Sequence, residues 1–298
     1  MKHHRQIAGL RILITGASQG IGRALAVEAA RQGAKVLAAA RSDDLLAELA
    51  REVLAAGGTL ETVSADVTSS QGRLSMVAAA VAHFGGLDVL INNAGIGATG
   101  HFAEVGPDRL RQIMEVNFFG LTETTRACLP LLQQGTRPAI VNISSIAGRR
   151  GLPARSEYSA SKFAVQGFSE ALRGEMARFG IDVIVVNPGL TQTNFSHNMI
   201  EQKARVPLDH LRGMTAAEAA VAILRALERG QENVTLTWKG KMLVWCSRFF
   251  PRFVDRIIKR KVRALFQDEI ATRQAQQPVP AVAADNSRLK REHASSMG

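Results

Sequence analysis

Tyrosine is almost absent from this chain: one copy, Tyr158, stands among 298 residues. Cysteine is nearly as scarce, and its two copies, Cys128 and Cys246, lie far apart with no metal-ligand spacing around either. That argues against a disulfide framework or a zinc site and fits a reducing, cytoplasmic compartment. No uninterrupted apolar run approaches the roughly 20 residues that cross a bilayer. The opening MKHHRQIAGLRILITG passes almost directly into a strand-like segment, without the apolar core and small-residue cleavage site of a secretory leader.

What the chain has in quantity is apolar residues, 46% of the total, enough for a substantial core, and positive charge, a net +11. A basic excess of that size first suggests nucleic acid or a membrane surface. Its distribution says otherwise for most of the chain. From Lys239 onward there are thirteen Lys/Arg against five Asp/Glu, so the preceding residues are close to neutral.

Those preceding residues alternate short β-branched or apolar runs with longer helical patterns, as βα units building a parallel sheet do. RILITG, AKVLAAAR, LETVSADV, LDVLINNAG, AIVNISS and IDVIVVNPG read as strands, and NVTLTW as an edge strand. IGRALAVEAARQGA reads as a first helix closed by Gly33, and SDDLLAELAREVLAAG as a second capped by Ser42. DRLRQIMEVNFFGLTETTRACLPLL is a helix before the fifth strand, and one containing Tyr158 precedes the sixth. Thr215 and Glu218 form a capping box for a last helix. The expected fold class is α/β, a doubly wound parallel sheet with helices on both faces, in which ligands bind at the carboxyl ends of the strands.

At the first of those ends lies TGASQGIG, Thr15 to Gly22. Gly16 permits a tight turn, Gly20 lets backbone approach a diphosphate, and Gly22 lets the helix pack on the strand, while free N–H groups and the helix dipole favour an anion. A glycine-rich loop alone is a weak signal; strand, glycines and helix in that order make nucleotide binding the reading to prefer over an ordinary βα turn.

The tyrosine stands four residues ahead of Lys162, so on a helix both side chains can face one ligand. A nearby ammonium favours phenolate, bringing a phenol of ordinary pKa near 10 toward the range of useful proton transfer. At average composition a Tyr-x-x-x-Lys arises by chance in roughly every second or third chain of this size. Its company lifts it above chance. Ser145 ends the strand before that helix, and Asn117 sits inside a helix, where asparagine is mildly unfavourable.

The spacing of TGxxxGxG, followed by NNAG, a Ser and Tyr-x-x-x-Lys, resembles the short-chain dehydrogenase/reductase family, in order, from residue 8 to about 240. The resemblance implies a Rossmann fold of about seven strands, hydride transfer between a nicotinamide and a carbonyl or alcohol carbon, and a homo-oligomer, dimer or tetramer. Its catalytic set maps onto Asn117, Ser145, Tyr158 and Lys162. Tyr158 would protonate the developing alkoxide and Ser145 would orient it. Lys162 would lower the tyrosine's pKa and hold the ribose, and Asn117 would position Lys162 through a water. The implied cofactor contacts are Gly16, Ser18, Gln19, Gly20, Ile21 and Gly22 in the turn, Asp66 and Val67 on the adenine side, and Asn93, Ala94 and Gly95 from NNAG. Tyr158 and Lys162 complete them with Pro188, Gly189, Thr191 and Thr193 from the Pro-Gly turn.

The second strand ends at Ala40 and Arg41, with no acid where a ribose 2′-hydroxyl would be bound and a cation able to meet a 2′-phosphate. NADP(H) is therefore expected over NAD(H). Asp43 and Asp44 come later and suit the first turn of the second helix.

The substrate is a small, hydrophobic carbonyl compound by expectation: a ketone, an aldehyde or a 3-oxoacyl compound. In the segment after Gly189, Phe195, Met199, Ile200 and Leu208 offer apolar surface and His197, Arg205 and His210 polar contacts; His101 and Phe102 could line the same pocket. Read as a helix from about Ser247, the basic end gathers Phe253, Val254, Ile257, Ile258, Val262 and Leu265 on one side. Arg252, Arg256, Lys259, Arg260 and Arg263 lie opposite, and Lys261 breaks the apolar arc. Residues 247–266 could dock on an anionic membrane, or the apolar side could pack on its own domain, a partner subunit or the substrate mouth; no nucleic-acid reading motif accompanies the charge. The expected organisation is a catalytic domain over 1–240, a basic amphipathic extension over 241–273 and a disordered tail over 274–298. A second reading of the whole, a nucleotide-sensing or membrane-associated scaffold without turnover, would be favoured by a missing Tyr, Lys or Ser, and none is missing.

Overall fold

A computed structural model describes residues 4–193, 195, 199–203 and 213–276. Among the residues singled out above, His197, Arg205, Leu208 and His210, and the tail from 277, lie outside the described residues.

The apolar runs become strands: β1 (Arg11–Thr15), β2 (Lys35–Ala40), β3 (Thr59–Ser64), β4 (Val89–Asn92), β5 (Ala139–Ile143) and β6 (Asp182–Asn187). Two short pieces, β7 (Thr191–Gln192) and β8 (Met214–Thr215), pair with each other, and β9 (Asn233–Thr235) closes the main sheet as its edge. The seven-stranded order is β3-β2-β1-β4-β5-β6-β9, parallel throughout. Parallel strands are covered on both faces and so read as near-continuous hydrophobic runs. In β1, Ile12 and Ile14 pack on one side with Leu25, Leu46 and Leu224, while Leu13 packs on the other with Met76, Cys128 and Leu172.

The covering helices are α1 (Gly20–Arg31), α2 (Asp43–Ala55), α3 (Ser70–Phe84), α4 (Asp108–Met114), α5 (Leu121–Leu132), α6 (Ser156–Met176) and α7 (Ala216–Glu228). The capping box forms as expected, with Thr215 Oγ1 accepting from the Glu218 N–H at 3.2 Å and the Thr215 N–H donating to Glu218 Oε2 at 2.8 Å. Gly33 follows α1 at φ +85°. Ser42 precedes α2, but its side chain makes no capping hydrogen bond, a correction to the reading above. α3 was not expected. Its apolar residues encircle the helix, with Met76 and Ala80 buried but Leu74 and Val81 exposed, so no periodic face announces it.

The strand order reverses between β1 and β4, and the crevice beyond their carboxyl ends is the binding position in such sheets. A buried polar network ties the layers below it. Asn92 Nδ2 donates to Thr125 Oγ1 and to Asn142 Oδ1, both at 2.9 Å, and Asn142 Nδ2 to Ser169 Oγ at 2.8 Å. Hydrogen bonds shared in this way favour one arrangement of the elements that carry them, here β4, β5, α5 and α6, although Asn92 Oδ1 is left without a partner.

The chain divides into two compact units at Pro251–Arg252. α8 (Trp238–Phe249) belongs to the first, capped by Thr237 Oγ1, which accepts from the Gly240 N–H at 3.1 Å. α9 (Pro251–Leu265) and α10 (Gln267–Gln276) follow. The single helix expected from about Ser247 is thus interrupted at Phe250, because Pro251 lacks an N–H and suits a first helical position rather than an interior one. On α9, Val254, Ile258 and Val262 form the less exposed stripe, while Phe253, Ile257 and Leu265 stay exposed.

Candidate active site

The turn after β1 takes the shape its glycines allow. Gly16 and Gly20 adopt φ of +66° and +59°, where a side chain would be strained. A Cβ on Gly22 would fall 2.2 Å from the Gly16 carbonyl oxygen, so this position admits no side chain without moving backbone. Thr15 Oγ1 accepts from the N–H groups of Asn93 and Ala94, both at 3.1 Å, and Asn93 Nδ2 donates to the carbonyls of Thr15 and Gly16 at 3.0 and 3.1 Å. Asn93 is thereby engaged in clamping the turn to the end of β4. Gln19, preceding α1, contributes no capping hydrogen bond, and the first turn holds no acid. The amino end of α1 therefore keeps N–H donors and a positive dipole end for an anion.

Asn117 owes its place to an irregularity. Between α4 and α5 the chain forms a π-helical turn, Glu115–Gly120, with Asn117 fully buried in it. Such turns recur at functional sites. Its carboxamide accepts from the Ile96 N–H at 2.8 Å and donates to the Ile96 carbonyl and to Ser161 Oγ, both at 3.0 Å. Asn117 so joins the segment after NNAG to α6. It also faces Lys162 across Gly95: a methyl there would lie 3.1 Å from Asn117 Oδ1 and 3.5 Å from Lys162 Nζ.

On α6 Tyr158 and Lys162 stack one turn apart, with Nζ 5.8 Å from the centre of the tyrosine ring. Both are buried, and Lys162 Nζ donates to the Ile143 carbonyl at 3.0 Å. Ser145 follows β5; its Oγ accepts from the Ala147 N–H at 3.2 Å and is hydrogen-bonded to Tyr158. Burial pushes the phenol above its ordinary pKa, opposed by that hydrogen bond and by the positive charge of Arg155. Burial also brings the Lys162 ammonium down to about 8. Arg155 is thus a second cation beside Tyr158, in addition to Lys162.

One cavity of about 300 Å³ collects these groups. Gly16, Ser18, Gln19, Gly20 and Ile21 line it from the turn; Arg41, Asp66 and Val67 from the ends of β2 and β3; Asn93, Ala94 and Gly95 from β4. Ser145, Tyr158 and Lys162 face it from the other side, with Pro188, Gly189, Thr191 and Thr193 after β6. Gly22 and Asn117 stand behind its wall as packing and positioning residues. Phe195 lines the cavity and packs on the Tyr158 ring at 5.9 Å. Met199, Ile200, His101 and Phe102 are not among the residues that line it, and Phe102 is 71% exposed.

The sequence gave no cavity role to Ser42, Ser144 or Arg155, all on the cavity wall. Arg155 had a signal: it stands three residues before Tyr158. Ser144 Oγ donates to the Lys162 carbonyl at 3.1 Å, fixing α6 against β5.

Residues 11–204 match the family model described as short chain dehydrogenase. A curated relative, dehydrogenase/reductase SDR family member 7B of Mus musculus, is 35% identical over 261 residues, 85% of this chain and 81% of the relative. A short chain dehydrogenase from Burkholderia cenocepacia J2315, solved in complex with NADP, superposes with a TM-score of 0.72 at 30% identity, covering 85% of this chain and 99% of that one. Another from Burkholderia phymatum, solved in complex with NAD, gives a TM-score of 0.74 at 24% identity over 82% of this chain and 94% of that one, a likeness of fold.

Proposed function

The chain belongs to the short-chain dehydrogenase family, and we propose on that premise that it is an NADP(H)-dependent oxidoreductase reducing the carbonyl of a small, largely apolar ketone, aldehyde or 3-oxoacyl compound. The observation that carries this is the convergence of Tyr158, Ser145 and Lys162 on one cavity with the uncapped amino end of α1. A bound nicotinamide supplies the hydride. Tyr158 gives its proton to the carbonyl oxygen as negative charge develops there, and Ser145 donates a hydrogen bond to the same oxygen. Lys162 holds the ribose hydroxyls with the donors left over from Ile143. Asn117 acts through the backbone and through water to position Lys162 and pass the proton on. Turnover is tested by following NADPH absorbance against a panel of ketones and aldehydes. NADPH binding without turnover of any would instead favour the silent scaffold.

Arg41 supports the choice of NADP(H). It is 71% exposed at the end of β2 and lies 3.9 Å from Asp66, a long and weak pairing that leaves its donors to a 2′-phosphate. One charge-assisted hydrogen bond is worth about tenfold, so kcat/KM with NADPH is expected to exceed that with NADH by at least about tenfold. Arg41→Asp should reverse the order. A wild-type preference for NADH overturns this assignment.

For the C-terminal helices the exposed Phe253, Ile257 and Leu265 beside the cations of α9 favour peripheral contact with an anionic membrane surface. No described helix is long and apolar enough to cross a membrane. Flotation with vesicles rich in phosphatidylserine is expected to carry the full chain and to leave the Phe253→Asp/Ile257→Asp variant behind. Equal partition of both contradicts the contact.

A further inference from the structure

The wall of the active-site cavity holds a cation that the mechanism above leaves without a substrate-binding task. Arg155 lines the cavity beside Tyr158, and its Nη2 is buried with no hydrogen-bond partner. Nearby carboxylates are engaged elsewhere. Glu157, buried two residues on, is bound by Arg109, whose Nε donates to it at 2.8 Å, and Glu201 is held by Arg109 at 2.8 Å and by Lys203. A guanidinium has five donors and cannot shed its charge under ordinary conditions, so burying one with a donor unmatched is costly. Burial indeed pulls Arg155 below the usual arginine range, and Tyr158 is the group that offsets it. The backbone is bent to put it there: Ala154, the preceding residue, takes φ +59°, unusual for a residue with a side chain, and its carbonyl accepts from the Gly100 N–H at 3.0 Å.

Direction along α6 says which ligand this cation meets. Lys162 is one turn beyond Tyr158 toward Gly95, whereas Arg155, which precedes α6 as its cap residue with non-helical backbone, stands before Tyr158 in the opposite sense. The tyrosine hydroxyl marks the reacting oxygen, so a group past it on the Arg155 side belongs to the substrate. Phe195 supplies apolar wall against the same tyrosine ring.

We propose that Arg155 anchors the substrate through an anionic oxygen group, a carboxylate or a phosphate, carried by the same molecule whose carbonyl meets Tyr158. This rests on the carbonyl-reductase reading and narrows it. The substrate has an apolar body, a reducible carbonyl and an anion within reach of it. A neutral ketone would leave Arg155 Nη2 without an anionic partner.

The test uses matched pairs with NADPH and the full chain: aliphatic keto acids of graded length against their methyl esters, and a phosphorylated hydroxyketone against the free hydroxyketone. Wild type is expected to favour the anionic member of at least one pair by about tenfold or more in kcat/KM, as one charge-assisted hydrogen bond predicts, and the pair that responds distinguishes carboxylate from phosphate. Arg155→Leu should abolish that ratio and Arg155→Lys restore part of it. The ratio is the readout because removing a charge near Tyr158 changes both members alike. The KM for NADPH should stay unchanged in Arg155→Leu; a large rise would assign the cation to the cofactor and overturn the proposal. Equal turnover of both members of every pair by wild type also overturns it, with the carbonyl-reductase reading intact. Should no pair turn over, that reading is the one in trouble, and binding decides the anchor. NADP⁺-loaded wild type is expected to gain thermal stability from the anionic members and Arg155→Leu to gain none; equal shifts, or none in wild type, overturn it.

Discussion

Tyr158→Phe is expected to lower kcat by about a hundredfold to ten-thousandfold, the range over which a positioned general acid acts, while the fold and NADPH binding persist. Only an oxygen is removed, and the ring keeps its contact with Phe195. The lost hydrogen bond to Ser145 is worth about 1 kcal/mol, too little to unfold the chain. The pH dependence carries a sign. Burial holds the phenol protonated through neutrality, as an acid must be for reduction. Lys162 is the group that changes: its ammonium is intact below about 8 and is lost as pH rises through that value. Reductive kcat/KM should therefore be level near neutrality and fall above about pH 8. Near-normal turnover by Tyr158→Phe refutes the assignment of the acid.

The largest stability effect is expected at Arg109→Leu. Arg109 and Glu157 are 6% and 4% exposed, and the guanidinium meets Glu157 through both Nε and Nη2 while Nη1 reaches Glu201. Removing the arginine strands a buried carboxylate, which costs about 3–5 kcal/mol. In a unit of this size that is a fall in Tm on the order of 10 °C. The double variant Arg109→Leu/Glu157→Leu should recover part of the loss, because hydrophobic replacement of both partners removes the uncompensated charge. Since Glu157 adjoins Tyr158 in the first turn of α6, the single variant should also lose activity below its Tm. An unchanged melting temperature contradicts this account of the pair.

What could be read from the residues was whatever has a short-range signature. The β1-turn-α1 unit declared itself by a buried strand and glycines whose positive φ and close approach were then found at Gly16, Gly20 and Gly22. The Tyr158 and Lys162 pair followed from helical spacing. α3 stayed hidden because its apolar residues circle the helix. The π-turn at Asn117 has no local code: nothing in EVNFFG marks a shift to wider hydrogen bonding, and only the odd asparagine hinted at it. The second cation beside Tyr158 stayed hidden for a related reason. Spacing pointed to Lys162 alone, and that Arg155 also faces the phenol depends on burial and on the chain path before α6, which are tertiary. The break at Pro251, by contrast, was available in the sequence, where a continuous apolar pattern was allowed to outweigh a proline.

The central claim is that this cavity carries out hydride transfer with Tyr158 as the acid. Its most direct test is turnover of a carbonyl substrate with NADPH deuterated at the transferring position of the nicotinamide, followed by mass spectrometry of the product alcohol. The account predicts one deuterium on the former carbonyl carbon with wild type, and the same labelled product at a rate lower by about a hundredfold or more with Tyr158→Phe. Unlabelled alcohol, or label arriving as fast without the tyrosine hydroxyl, would contradict it.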